Sequence, residues 1–246
     1  MDTALVTGGG SGIGRATAVA LAARGTKVVV AGRQEHTLIE TAKMIEESGG
    51  TASHVLADIA LAEGAARAVG TVTERYGRLD LAVNCAGLPS WGLTADMAPA
   101  EWEQVMGVNV NGTWLCMKYE IEQMLGQGGG AIVNVSSRIG PHMRVTHQSA
   151  YAASKSALST LTRSAAREYI GRGIRINAVS PGPTDTAMAV WPGETAADRD
   201  ARVARDIPAG RLARPEEIAG AVLWLASPGA AFVVGHDLVI DGGLSA

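Results

Sequence analysis

The stretch Ala4-Leu5-Val6-Thr7-Gly8-Gly9-Gly10-Ser11-Gly12-Ile13-Gly14 begins as a short apolar strand, turns on glycine and opens a helix. Ala4-Leu5-Val6 has the length and composition of a buried strand, and Ile13 to Arg24 reads as a helix closed by Gly25, where a left-handed residue is wanted. Glycine in such a turn lets backbone approach a ligand closely, and the helix start offers unpaired N–H groups at its positive end, which suits a pyrophosphate. The spacing of Gly8, Gly12 and Gly14 is Gly-x-x-x-Gly-x-Gly, which departs from the stricter Gly-x-Gly-x-x-Gly fingerprint, so a plain tight turn is the alternative reading.

The same alternation continues along the chain. Val28-Val29-Val30, Val55-Leu56-Ala57, Leu81-Ala82-Val83, Ala131 to Val135, Arg175 to Val179 and Leu238-Val239-Ile240 are further strand-like runs, with Ala-rich helical patterns between them. Glu35 to Ser48 and Ala60 to Tyr76 each end before glycine. Nearly continuous apolar strands separated by crossovers of helical length predict an α/β fold, a doubly wound parallel sheet of about seven strands covered on both faces. No linker, charge run or repeat divides the chain, so residues 1–246 are expected to form one domain. The segment from Pro181 to Arg214 lacks a strand pattern and carries several prolines, which marks residues 183–213 as a substrate-binding lid.

Composition narrows the function. The net charge is −3 and the basic residues are scattered, which excludes the electrostatic footprint of a nucleic-acid binder. Hydrophobic residues at 47% with 31 glycines suit a large core and many tight turns. The opening Met1-Asp2-Thr3 shows no basic and apolar leader, and there are 2 cysteines, Cys85 and Cys116, so a reducing, cytoplasmic setting is expected. The longest uncharged stretch, Ile218 to Gly235, is broken by Pro228-Gly229 and reads as helix, turn and strand rather than a membrane span. The histidines lack metal-ligand spacing, so no metal is expected.

Two further places carry chemistry. After the second strand comes Arg33 with no acid before Glu35; a guanidinium there suits a ribose 2′-phosphate, so NADP(H) is favoured over NAD(H). Tyr151 and Lys155 lie four residues apart in a strong helix former and share one face. An ammonium about 4 Å away at an effective dielectric near 20 is worth roughly 4 kcal/mol, or about three pKa units, to a phenolate. Tyr151 is therefore expected to titrate near neutrality and act as general acid/base. Ala131 to Val135 ends in Ser136-Ser137, at the strand end where open α/β sheets bind ligands, and Ser137 can hold a substrate oxygen.

In order, Thr7-Gly8-x-x-x-Gly12-x-Gly14, Asp58-Ile59, Asn84-Cys85-Ala86-Gly87, Asn109, Ser137, Tyr151-x-x-x-Lys155 and Pro181-Gly182-x-x-x-Thr186 run the length of the chain. That ordered set resembles the short-chain dehydrogenase/reductase family and its Rossmann-like domain. The resemblance implies a catalytic set of Ser137, Tyr151 and Lys155, with Asn109 in a water-linked proton relay. It implies that Asp58 contacts the adenine amine, that Asn84 and Ala86-Gly87 line the adenosine side, and that Ser11, Ile13, Ile59, Pro181, Gly182 and Thr184 belong to the cofactor groove. Thr186 would reach the nicotinamide carboxamide and Lys155 the nicotinamide ribose. Cys85 departs from the commoner second asparagine, and Ser11 stands where NADP-using members often carry a basic residue.

The implied activity is hydride transfer between nicotinamide and a carbonyl or secondary alcohol. The alternatives are a dinucleotide-binding regulatory or scaffold protein, or a related epimerase or dehydratase on the same fold. Trp91, Arg138, His147, Met188 and Trp191 are the expected pocket residues, and their large apolar members point to a hydrophobic or ring-bearing substrate. Val239 to Leu244 resembles the segment through which family tetramers associate, so a homotetramer is expected.

Overall fold

In a computed structural model, which describes residues 1–191 and 193–246, each expected apolar run becomes a strand. β1 (Thr3–Thr7), β2 (Lys27–Gly32), β3 (Ala52–Leu56), β4 (Leu81–Asn84), β5 (Gly130–Val135), β6 (Ile174–Pro181) and β7 (Asp237–Ile240) form one parallel sheet in the order β3-β2-β1-β4-β5-β6-β7. The crossovers hold α1 (Gly12–Ala22), α2 (Glu35–Glu47), α3 (Ala62–Tyr76), α4 (Pro99–Met106), α5 (Thr113–Gln127), α6 (Ser149–Tyr169), α7 (Ala196–Asp206) and α8 (Pro215–Ala226).

Both faces of the sheet are covered. Along β2, Val28 and Val30 pack with Leu21 of α1, Ile45 of α2 and Val222 of α8, while Val29 and Ala31 pack with Val72 of α3, Met117 and Met124 of α5, and Ala165 of α6. This two-sided burial explains why the strands read as unbroken apolar runs rather than as an alternation. β3 begins three residues earlier than the sequence suggested, at Ala52. It is an edge strand and is buried on one face only, so its polar Ser53 and His54 gave no apolar signal. α3 ends as expected on Gly77, in the left-handed conformation at φ 81°.

β1 is flanked by β2 and β4, so the strand order reverses there and a crevice opens beyond the carboxyl ends. The β5–β6 ladder runs past its strands, with Ser136 N–H donating to the Val179 carbonyl and Arg138 N–H to the Pro181 carbonyl. These bonds fix the backbone on both sides of Ser137. Between α4 and α5 the rod passes through a π-helical turn, Gly107–Gly112, which contains Asn109. Such turns widen the helix and redirect a side chain.

Ile218 to Gly235 holds the helix and turn that the sequence indicated, most of α8 and a tight turn at Pro228–Ala230, but not the strand, since β7 begins only at Asp237. Among the described residues no helix is long and apolar enough to cross a membrane. The segment 183–213, of which residue 192 lies outside the described residues, is more ordered than its sequence suggested. It contains a short turn at Ala187–Ala189 and α7, whose start is fixed by reciprocal hydrogen bonds between Thr195 and Asp198.

Candidate active site

Two adjoining cavities follow the carboxyl ends of the strands. One of about 250 Å³ is lined by Gly10, Arg33, Thr37, Asp58, Ile59 and Val108 among others, and one of about 400 Å³ by Ser137, Tyr151, Lys155, Thr186, Trp91 and Trp191 among others. Gly8, Ser11, Ala86 and Gly87 border both, so together they make one groove across the switch point.

The glycine turn shapes the middle of that groove. Gly8 has φ 66°, and a Cβ there would stand 2.8 Å from the Ala86 amide nitrogen, so the β1 turn and the Asn84-Cys85-Ala86-Gly87 turn can touch only without a side chain. A Cβ on Gly12 would stand 3.0 Å from Thr186 Cγ2, so that position separates the helix start from the Thr186 loop by less than a side chain. Gly14 does not line the groove; a Cβ there would strike the Gly8 carbonyl oxygen, so its part is to let α1 pack against its own turn. Ser11 is extended and gives no side-chain cap to α1, which leaves first-turn N–H groups for an anion. The cradle therefore fits a pyrophosphate.

At the adenosine-side cavity Arg33 lies just past β2, with Asp58 and Ile59 opposite. Asp58 Oδ1 accepts from Ala60 N–H at 3.0 Å, which orders the turn after β3. Arg15, although close to the turn, has its guanidinium committed to Glu40, Thr41 and the Gly10 carbonyl. Arg33 is thus the cation that borders this cavity.

Ser137, Tyr151 and Lys155 all line the larger cavity with Pro181, Gly182, Thr184 and Thr186. Tyr151 is held at the start of α6 by its N–H donating to Ser90 Oγ at 3.0 Å, and Ser136 Oγ donates to the Lys155 carbonyl at 3.2 Å, tying the end of β5 to the same helix. Lys155 Nζ donates to the Val135 carbonyl at 2.8 Å and lies 5.7 Å from the Tyr151 ring centroid. Burial pushes the Lys155 ammonium down to about 8 and pushes the Tyr151 phenol above its usual 10, the Ser137 hydroxyl drawing the phenol partly back. The expectation that Lys155 brings this phenol near neutrality is therefore corrected. The ammonium donates to the Val135 carbonyl, and desolvation of the buried phenol is the largest influence on it. Cys85 borders the same space with its thiol raised by burial to about 11, so it is a neutral neighbour.

Three expected site residues are placed differently. Asn84 does not line the groove: it is buried, and its side-chain amide donates to Glu120 Oε2 at 3.0 Å and Asn134 Oδ1 at 3.1 Å. Asn109 is also buried; its side chain grips Leu88, accepting from its N–H at 2.7 Å and donating to its carbonyl at 2.9 Å, and donates to Ser154 Oγ. This holds the loop after Gly87. His147 is exposed with φ 64° and turned from the cavity, where Gln148 takes the place expected for it.

The remaining expected pocket residues Trp91, Arg138, Met188 and Trp191 do line the larger cavity. Trp91 and Trp191 form a tilted pair with centroids 5.5 Å apart, and Arg202 of α7 lies 4.2 Å over Trp191. Arg202 also pairs with Glu194 at 2.6 Å and donates to the Ala189 carbonyl. Arg202 is a lining residue that the sequence did not single out.

Residues 8–245 match the family model described as enoyl-(acyl carrier protein) reductase. The chain is 42% identical over 247 residues to a short chain dehydrogenase/reductase, astE, of Aspergillus oryzae, covering 98% of this chain and 94% of that protein. It is 40% identical over 245 residues to the cis-4-hydroxycyclohexanecarboxylate dehydrogenase of Sinomonas cyclohexanicum, covering 99% and 96%. Among solved structures, an actinorhodin polyketide ketoreductase crystallised with NADPH superposes with a TM-score of 0.94 at 35% identity, covering 99% of this chain and 97% of that one.

Proposed function

This chain belongs to the short-chain dehydrogenase/reductase family, and on that premise we propose that it is an NAD(P)-dependent oxidoreductase that interconverts a ring-bearing secondary alcohol and its ketone. The observation that carries the reading is the meeting of Ser137, Tyr151 and Lys155 from β5 and α6 at one wall of a groove whose other end is a glycine cradle for a pyrophosphate. A regulatory binder has no use for that set of side chains.

A bound nicotinamide supplies or accepts the hydride. The first-turn N–H groups of α1 with Ser11, Gly12 and Ile13 would hold the pyrophosphate, and Asp58 and Ile59 would border the adenine. Ala86 and Gly87 would form the floor between them. Pro181, Gly182, Thr184 and Thr186 would hold the far end, and Lys155 would hold the ribose hydroxyls. Tyr151 donates its phenol proton to the developing alkoxide oxygen while Ser137 Oγ donates a hydrogen bond to the same oxygen; in oxidation the proton returns. Arg33 favours NADP(H), since a planar guanidinium at the end of β2 matches a 2′-phosphate and no acid competes there.

The Trp91–Trp191 pair, with Met188, Val145 and Ile139, makes the substrate wall apolar and aromatic, which suits a ring, and the Sinomonas relative is named for a ring alcohol. Residues 183–213 act as the lid. The two cysteines are unpaired, in keeping with a cytoplasmic setting. The exposed Trp224, Phe232 and Val234, on α8 and the approach to β7, support a homotetramer, which sedimentation velocity tests. Initial rates followed by nicotinamide absorbance, with NADPH and NADH against cyclic and open-chain ketones, test the main reading. Turnover of cyclic ketones is expected, and no oxidation of either cofactor with any ketone refutes it.

A further inference from the structure

The charged side chains lining the larger cavity are Arg138, Lys155 and Arg202, and no carboxylate lines it. Two of these cations are matched within the protein. Arg202 makes a two-point contact with Glu194, at 2.6 and 2.9 Å, and stacks on Trp191. Lys155 donates to the Val135 carbonyl and feels the buried Asp237 carboxylate.

Arg138 has no such match. It makes no ion pair among the described residues, and its guanidinium gives a hydrogen bond only to Met143 Sδ, a weak acceptor. Asp241 acts on it from beyond ion-pair distance, and partial burial works against its charge. Its backbone is fixed: it follows Ser137 directly, and its N–H donates to the Pro181 carbonyl at 3.1 Å. A half-buried guanidinium with no carboxylate in ion-pair contact and its other N–H donors open to solvent, on a cavity wall with Trp91, Ile139, Val145 and Met188, is a receptor for an anion.

We propose that Arg138 is a specificity residue that recognises a carboxylate carried by the ring substrate away from the reacting carbon. The proposal rests on the oxidoreductase reading of the same cavity and narrows its substrate class from ring ketones and alcohols to keto and hydroxy ring acids. The apolar walls hold the ring, Ser137 and Tyr151 address the carbonyl, and Arg138 sets which way round the ring lies by fixing its charged end. A neutral ring compound leaves the guanidinium unmatched and pays for that desolvation in affinity.

The test has a binding arm and a turnover arm. Tryptophan fluorescence titrates cyclohexanecarboxylate and cyclohexanecarboxamide into the wild type, Arg138→Leu and Arg138→Lys, with thermal melts to establish that each is folded. Initial rates compare a keto-cyclohexanecarboxylate with its methyl ester. The wild type is expected to prefer acid over amide, and keto acid over ester in kcat/KM, by about tenfold or more. Arg138→Leu is expected to bring both preferences to about one, and Arg138→Lys to retain part of them. Equal binding of acid and amide by the wild type, or equal loss of both in Arg138→Leu, overturns the proposal. An intact binding preference with no turnover of keto acid or ester refutes the oxidoreductase reading instead, and leaves Arg138 as an anion site.

Discussion

Lys155 Nζ donates to the Val135 carbonyl at 2.8 Å and stands 5.7 Å from the centroid of the Tyr151 ring, one helical turn back on α6. The two side chains share a face of the helix, yet the ammonium is aimed at β5. The phenol is thus governed by burial and stays protonated through the neutral range. For the proposed reduction this is the form needed, since the acid must arrive with its proton. Tyr151→Phe is expected to keep nicotinamide binding, measured by fluorescence, and to lower kcat by about 10²–10⁴. The pH profile follows from the direction of the shift: reduction is flat through neutrality and falls only in the alkaline range, while oxidation, which needs the phenolate, rises with pH. Near-wild-type kcat in the variant, or oxidation that peaks in acid, contradicts the assignment.

Arg33 borders the adenosine-side cavity and makes no ion pair among the described residues, whereas Arg15 is bound to Glu40 and the glycine turn. Among the described residues lining this cavity, Arg33 is the cation placed to reach a 2′-phosphate. A charged hydrogen bond of this kind contributes roughly 1.5–3 kcal/mol, so Arg33→Asp is expected to cut kcat/KM for NADPH by about tenfold or more and to raise that for NADH. Unchanged cofactor preference in steady-state kinetics removes Arg33 from the site.

The strands and the glycine cradle were legible because their signals are local: Ala4-Leu5-Val6 and Val28-Val29-Val30 are short apolar runs, and Gly8 to Gly14 lie within one turn. Direction was not legible. Asn84 and Asn109 stand in the expected motifs, but nothing in a polar residue's position tells whether it faces the groove or the core, and both face inward. The Trp91–Trp191 pair joins residues a hundred positions apart, so no window of sequence contains it. α7 was missed because its polar sequence buries only Arg202 and Val203, leaving no apolar stripe to read. Glu120 was findable in principle: it falls on the face of α5 set by Cys116, Met117, Ile121 and Met124, where an acid is out of place.

Glu194 and Arg202 pair at 2.6 Å, with side-chain exposures of 8% and 10%, and together fix Trp191 against Trp91. The Arg202 hydrogen bond holds the Glu194 carboxyl down to about 2, so this contact keeps its charge at every pH where the fold is handled and is lost only as pH falls through that value. Breaking it loosens the proposed lid rather than the chemistry. Glu194→Gln is expected to raise KM for a ring ketone several-fold, with kcat changed less, in initial-rate kinetics. A fall in kcat at constant KM contradicts a lid role.

Glu120 is buried and accepts from Asn84 through Oε2, while its Oε1 has no partner. Asn84 in turn reaches Asn134, which donates to Thr162 on α6, so one carboxyl ties α5 to the two strands that lead into Ala86-Gly87 and Ser136-Ser137. Desolvation raises its pKa from the usual 4.5 to about 8, which makes it a neutral acid at pH 7. The folded state therefore holds a proton that the unfolded chain releases between those values. Its contribution to stability is complete below about pH 4.5, declines as pH rises, and is gone above about pH 8. Glu120→Gln, which is neutral at all pH, is expected to match the wild type in thermal melts at acid pH and to exceed it at about pH 9 by an amount on the order of a few kcal/mol. Glu120→Ala leaves one of the two Asn84 amide hydrogen bonds without its acceptor and is expected to lose roughly 1–3 kcal/mol even in acid. Parallel pH–stability curves for wild type and Glu120→Gln show that the carboxyl is ionised in the fold and sink the prediction.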